Sequence, residues 1–158
     1  MVKTIAIGSD HGGYNLKEAL KEILEKQGYR IIDTGTFSKE PCDYPELGYK
    51  TAAEVSVGKA ARGIVICKTG IGMSIVANKL PGVRAGLCLS VPDAVSAREH
   101  NDTNVLVLAA DKTGRAKATD IVNTWLITKT LKGRHARRVR QISAIEKKLY
   151  KQSIANSR

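Results

Sequence analysis

Cys67-Lys-Thr-Gly-Ile-Gly-Met73 sets a thiol, a hydroxyl and two glycines between the apolar run Gly63-Ile-Val-Ile66 and the helical pattern Ser74-Ile-Val-Ala-Asn-Lys79. That order predicts a buried strand, a glycine-rich turn and a helix start, with the thiol at the strand's end. A helix N-terminus presents unpaired N–H groups and the positive end of the helix dipole. Both favour a thiolate and any oxyanion formed beside it. The chemistry this segment supports is a nucleophile or base next to an anion cradle. Glycine turns that merely close a strand–helix unit, with a structural thiol buried beside them, share the pattern, so the segment alone leaves both readings open. No Gly-Lys-Ser/Thr follows, which excludes a nucleotide P-loop, and only Gly70 and Gly72 suit a dinucleotide fingerprint.

Two other segments carry groups of the same kind. Gly8-Ser-Asp-His-Gly-Gly13 places Asp10 and His11 directly after the first apolar run, and Glu99-His-Asn-Asp102 places His100 between a helical pattern and a later strand. Read locally, Asp10-His11 is a helix cap with a loop histidine, and His100 is a helix C-terminal histidine favoured by the dipole.

The elements that must position these groups alternate along the chain. Strands are predicted at Lys3–Gly8, Tyr29–Asp33, Gly63–Cys67, Arg84–Leu89 and Asn104–Ala109. Helices are predicted at Asn15–Gln27, Glu46–Val57, Ile71–Lys79, Pro92–Glu99, Arg115–Thr130 and Arg134–Lys151, with Thr34–Pro45 as a loop. Such alternation implies a parallel sheet covered by helices on both faces. In open sheets of this class ligands bind at the carboxyl ends of the strands. Asp10, His11 and Cys67 are therefore expected in one crevice. His100, at the amino end of the fifth strand, falls on the opposite edge, and the simplest geometry that makes it catalytic brings it from a second subunit.

Composition bounds the rest. The 158 residues suit a single domain, expected over 1–152, with 153–158 as a frayed tail. No apolar run approaches the roughly 20 residues that span a bilayer, and the first apolar segment is too short for a signal peptide, so a cytoplasmic protein without membrane contact is expected. Three widely spaced cysteines, Cys42, Cys67 and Cys88, argue against a disulfide framework, and no paired Cys or His spacing suggests a metal site. The net charge is +11, much of it late in the chain. Aromatic residues make up 4% and no nucleic-acid motif is present, so the charge is read as a solvated face with a few functional arginines, and nucleic acid is not the expected partner.

Taken in order, Gly8-Ser-Asp-His-Gly-Gly13, Asp43-Tyr-Pro45, Cys67-x-Thr-Gly-Ile-Gly72, Ala77-Asn-Lys79, Glu99-His-Asn-Asp102 and Gly133-Arg-His135 resemble the type B ribose-5-phosphate isomerases of the ribose/galactose isomerase family. The resemblance runs from Lys3 to about Lys148. It implies a Rossmann-like three-layer α/β/α sandwich with a five-stranded parallel sheet and a C-terminal helix that packs on a partner subunit. It further implies a homodimer, or a tetramer of paired dimers, with active sites at the interface. The reaction it implies is isomerisation of an aldose phosphate and a ketose phosphate without metal or cofactor. Ribose 5-phosphate and ribulose 5-phosphate are the default pair, and galactose-, allose- or tetrose-phosphate isomerisation and a catalytically weak sugar-phosphate-binding protein are the alternatives. Carried over by position, Cys67 corresponds to the base, Thr69 to an assisting hydroxyl and His100 to the acid that opens the sugar ring. Lys68, Gly70, Ile71 and Gly72 correspond to the enediolate cradle, and Asp10, His11 and Asn101 to substrate ligands. Tyr44 corresponds to an aromatic wall, and Arg134 and Arg138 to phosphate ligands.

Two positions depart from the family pattern. Lys68 stands where glycine is common, and Asp111 where many members have a third phosphate-binding arginine. An aspartate there is expected to repel a phosphate or to pair with a neighbour such as Lys68 or Lys112.

Overall fold

The computed structural model describes residues 3–156. The chain runs β1 (Thr4–Ser9), α1 (Tyr14–Lys26), β2 (Arg30–Asp33), α2 (Tyr44–Ser56), β3 (Arg62–Cys67), α3 (Ile71–Ala77), β4 (Ala85–Leu87), α4 (Val91–Asn101), β5 (Val105–Ala109), α5 (Arg115–Ile127) and α6 (Arg134–Asn156). All five strands are parallel, in the order β2-β1-β3-β5-β4. The expected three-layer α/β/α architecture is therefore present.

Strand alternation divides the core into two halves. Ile5, Ile7, Ile64, Ile66, Leu106 and Leu108 pack against Leu16, Leu20 and Leu24 of α1 and Ile121, Val122 and Trp125 of α5. The intervening residues Ala6, Val65, Cys67, Val105 and Val107 pack against Ala52 and Val55 of α2 and Met73 and Ala77 of α3. Truncating one of the large central residues, such as Ile64, to alanine costs about 2–5 kcal/mol.

Several boundaries differ from expectation, and each difference has a local cause. Tyr44, expected in a loop, is the first residue of α2, where Pro45 suits the first turn. α4 begins after Ser90, whose Oγ accepts from the Asp93 N–H at 3.3 Å while the Asp93 carboxylate accepts from the Leu89 N–H at 2.9 Å. That helix runs through His100 and Asn101, which were expected beyond its end, and stops at Asp102 in the left-handed conformation. α6 is traced to Asn156, and the last two residues of the expected tail lie outside the described residues. Among the described residues no helix is long and apolar enough to cross a membrane.

Two carboxylates tie the helices to the loops. Asp33, at the end of β2, accepts both oxygens' worth of hydrogen bonds from the wholly buried Lys17 (2.8 and 2.7 Å), a third from Lys21 (2.7 Å) and a fourth from the Gly35 N–H (3.0 Å). Asp102 accepts from Arg98 (2.7 Å), Thr130 (2.8 Å) and Arg84 (3.0 Å), while Arg84 Nε also donates to the Asp102 carbonyl (2.9 Å). Burial alone raises the pKa of each carboxyl. Hydrogen bonds from the two lysines at Asp33, and from Thr130 and Arg98 at Asp102, outweigh it and hold both below the ordinary aspartate value.

A depressed native pKa means that the stability these groups add is complete above about pH 5, declines below it and is lost as pH falls through the native values. Urea midpoints measured from neutral pH into acid are expected to fall along that limb, with a shallower fall in Asp102→Asn. An identical acid limb in that variant would assign the loss to other groups.

Candidate active site

The strand order reverses direction between β1 and β3, so their carboxyl ends flank a topological switch point, the usual place for a ligand crevice. The register pairs Ser9 with Ile66, which brings the next residues, Asp10 and Cys67, to the same edge. The Asp10 N–H donates to the Ile66 carbonyl at 3.2 Å and ties the two loops together.

Cys67 is 5% exposed, and its Sγ accepts from the Gly70 N–H at 3.1 Å. Gly70 adopts φ 76°, and a Cβ there would lie 2.5 Å from Leu87 Cδ1, so the turn that returns an N–H to the sulfur requires glycine. Thr69 Oγ1 accepts from the Ile71 N–H at 3.4 Å. The expected cradle is thereby partly occupied by its own loop. Gly72, second residue of α3, has no intrahelical acceptor for its N–H, which is available to an outside oxygen. Tyr44 lies over this glycine, close enough that a Cβ on Gly72 would sit 2.5 Å from its ring. Cys88, by contrast, is sealed in the core, and burial together with the Asp93 charge pushes its thiol up to about 12, which leaves it unreactive.

Asp10 Oδ1 accepts from the Gly13 N–H at 3.0 Å, a turn at the crevice rather than the expected helix cap, because Gly13 is the N-cap of α1 and no side chain caps that helix. His11 Nδ1 accepts from the Cys42 N–H at 3.2 Å. A nitrogen that accepts is unprotonated, so the neutral ring carries its proton on Nε2 as a donor. The Lys68 chain lies across Gly12, where a Cβ would be 2.5 Å from Lys68 Cγ and 3.3 Å from Asp10 Oδ1. The Asp111 N–H donates to the Lys68 carbonyl at 3.1 Å, so the two departures from the family pattern are spatial neighbours. The expected ion pair of Asp111 with Lys68 or Lys112 does not form among the described residues; the bond between them is made by the backbone.

The remaining predicted residues gather on the other edge. His100 stacks on His135, ring centroids 4.3 Å apart and 13° from parallel, and Arg134 Nε donates to His135 Nε2 at 3.3 Å. Arg138 follows one turn later on α6. Burial lowers the His135 pKa, with the neighbouring His100, Arg134 and Arg138 lowering it further. Asn101 lines a cavity of about 870 Å³ between β4, α4 and α6. α4 carries the chain back along the sheet, so the length of β5, about 16 Å for five residues, separates the His100 edge from the Cys67 edge. One protomer does not bring the two sets together.

Three residues gain a place that motif reading did not assign. Ser9 has a wholly buried hydroxyl without a partner among the described residues, Cys42 sets the His11 tautomer, and Asp102 anchors the segment that bears His100. Ser9 and Asp102 lie inside quoted motifs, whereas nothing local in the sequence marks Cys42. Among the described residues no group of three or more His, Cys, Asp or Glu side chains is placed to hold a metal ion.

A model of the ribose/galactose isomerase family matches residues 5–142. Ribose-5-phosphate isomerase B of Escherichia coli is 43% identical over 147 residues, covering 93% of this chain and 99% of that protein. D-erythrulose-4-phosphate isomerase of Pectobacterium atrosepticum is 36% identical over 147 residues, covering 90% and 95%. The solved structure of ribose-5-phosphate isomerase B from Clostridium thermocellum superposes with a TM-score of 0.90 at 52% identity, covering 92% of this chain and 99% of that one.

The contact of Tyr44 with Gly72 yields a direct test. Gly72→Ala is expected to destabilise by about 1–3 kcal/mol through overpacking. The double variant Gly72→Ala/Tyr44→Ala is expected to recover part of that loss, because residues in contact couple. Strict additivity in urea denaturation would separate the two side chains.

Proposed function

The chain belongs to the ribose/galactose isomerase family and is an isomerase, and on that premise we propose that it interconverts ribose 5-phosphate and ribulose 5-phosphate through an enediolate, with Cys67 as the base. The observation that carries the reading is the Cys67 sulfur at the carboxyl end of β3, held 3.1 Å from the Gly70 N–H at the switch-point crevice. The thiolate takes the proton from C2 of the open-chain aldose, and the electron pair moves onto the C1 oxygen. Returning that proton to C1 leaves the carbonyl at C2 and regenerates the thiolate. Thr69 Oγ1 passes a proton between the two oxygens, and the Gly72 N–H faces the developing charge. Neutral His11 donates through Nε2, Asp10 accepts from sugar hydroxyls, and Tyr44 walls the sugar beside Lys68 and Ile71. No metal or cofactor enters these steps.

The other half of the site comes from a second copy of the chain. His100 opens the furanose ring, Asn101 binds a sugar oxygen, and Arg134 and Arg138 take the phosphate dianion, for which the guanidinium fork is suited. Two observations support a homodimer, alone or paired into a tetramer. The two sets of residues occupy opposite edges of one protomer. In addition, Leu87 and Leu89 near the sheet edge and Ile142, Ile145 and Leu149 of α6 are apolar and at least one-third exposed.

A second reading, a four-carbon sugar phosphate as substrate, is favoured by one contact. The Lys68 side chain lies across Gly12 beside Asp10, and the Asp111 N–H holds the Lys68 carbonyl, so both departures from the family pattern border the crevice. The erythrulose-phosphate-named relative makes this more than a formal alternative.

Cys67→Ala is expected to abolish turnover with native-like stability. Mixed with an equally inactive His100→Asn, after subunit exchange, it is expected to regain up to about one quarter of wild-type activity, because half the dimers then hold one intact shared site. No regain after verified exchange would place Cys67 and His100 in one subunit. A panel of four-, five- and six-carbon sugar phosphates, assayed with chelator, separates the two readings. Preference for the five-carbon pair upholds the first, and preference for a tetrose phosphate upholds the second.

A further inference from the structure

We propose that the outer face of α6 docks the phosphate backbone of double-stranded nucleic acid, independently of base sequence. The Arg134–Asn156 segment holds seven basic residues and a single acid, a surplus that is more than half of the chain's net charge of +11. Their distribution around the helix, which sequence order conceals, is what carries the inference. At about 100° per residue, Arg137, Arg140, Lys147, Lys148 and Lys151 fall within an arc of about 100° and along about 21 Å of axis. All five are exposed, and none makes an ion pair among the described residues.

The acid that would neutralise them is turned away. Glu146 faces inward and accepts the Gly82 N–H at 2.9 Å. His135 and Tyr150 share that inward side, stacking on His100 and donating to the Lys79 carbonyl. A third arc holds Ile142, Ile145 and Leu149, the apolar stripe ascribed above to the subunit contact. The basic face is therefore distinct from both the protomer's own packing side and that stripe, and it spares Arg134 and Arg138.

The chemistry of the face selects its occupant. A duplex presents one negative charge per about 1.7 Å of axis, which matches a straight row of cations along a rigid rod. No aromatic side chain lies on the stripe to stack unpaired bases, which disfavours single strands. The apolar arc lies across the helix from the basic one, but the proposed subunit contact takes it up, which leaves no free apolar face to enter a membrane surface.

Anisotropy of a labelled duplex DNA of about 20 random base pairs, read between about 50 and 200 mM salt, tests this. Five phosphate contacts predict a slope of log affinity on log salt of about −4.5, a loss of roughly 500-fold across that range. The Arg140→Gln/Lys147→Gln/Lys151→Gln variant is expected to reduce the slope to about −2 and weaken binding at least tenfold at about 50 mM salt, with helicity unchanged. Ala144→Glu, an acid added at the centre of the stripe, is expected to weaken binding severalfold and stands in if the triple variant does not fold. Absence of saturable binding at low salt overturns the proposal. So does equal affinity in the variants, which would place any binding elsewhere, or binding to phosphatidylserine vesicles with none to the duplex.

Discussion

β3 has no solvent-facing side. From Gly63 to Cys67 every residue is buried, with alternate side chains committed to opposite cores. A strand covered on both faces can be neighboured only by other strands and roofed only by helices. The placement of α1 and α5 on one face and α2 and α3 on the other follows from that requirement. It also restricts where chemistry can occur. The central strands meet solvent only at their ends, and the reversal of strand order between β1 and β3 leaves a gap at the carboxyl end. The thiol at the last position of β3 thus has its backbone fixed by the ladder to β5 and its side chain packed against α2 and α3, while its sulfur meets an N–H of the turn.

The loops around that gap are held by polar contacts of unusual economy. The β1–α1 loop is joined to β3 through Asp10, and to the β2–α2 segment through His11 and through Ser9, which exchanges hydrogen bonds with Gly35 and Thr36. Asp33, neutralised by a wholly buried lysine, sets the Gly35 end of this arrangement. Backbone groups, rather than long side chains, make most of these links, so little rotamer entropy is lost in forming them.

The opposite edge is built differently. Asp102 gathers two arginines and a threonine, and so fixes the end of α4 against the segment that leads into α6. This places His100 against His135 and aligns the first turn of α6 with α4. α6 then presents three unlike faces: one to its own protomer, one apolar and one basic. The candidate groups fall on two edges of the protomer and α6 carries an exposed apolar stripe, and the proposed site shared between two copies of the chain would account for both.

Much of this was legible in the residues. The eleven elements follow from hydrophobic period and from glycine and proline punctuation, and the parallel sheet follows from their alternation, because burial imposes a two-residue repeat on strands and a 3.6-residue repeat on helices. Asp10, His11 and Cys67 were assigned to one crevice for the same reason: in a parallel sheet the chain position at a strand's end dictates the edge. Placement of His100 within α4 was not legible, since the left-handed stop at Asp102 depends on Arg84, Arg98 and Thr130, which are distant in sequence or off the motif. Nor were the Cys42 contact that sets the His11 tautomer, the inward turn of Glu146, or the meeting of Lys68 with Asp111. Local pattern determines what each segment becomes, because propensity and periodicity act over a few residues. Which side chains face one another is decided only by tertiary packing, because those distances close when the helices settle on the sheet.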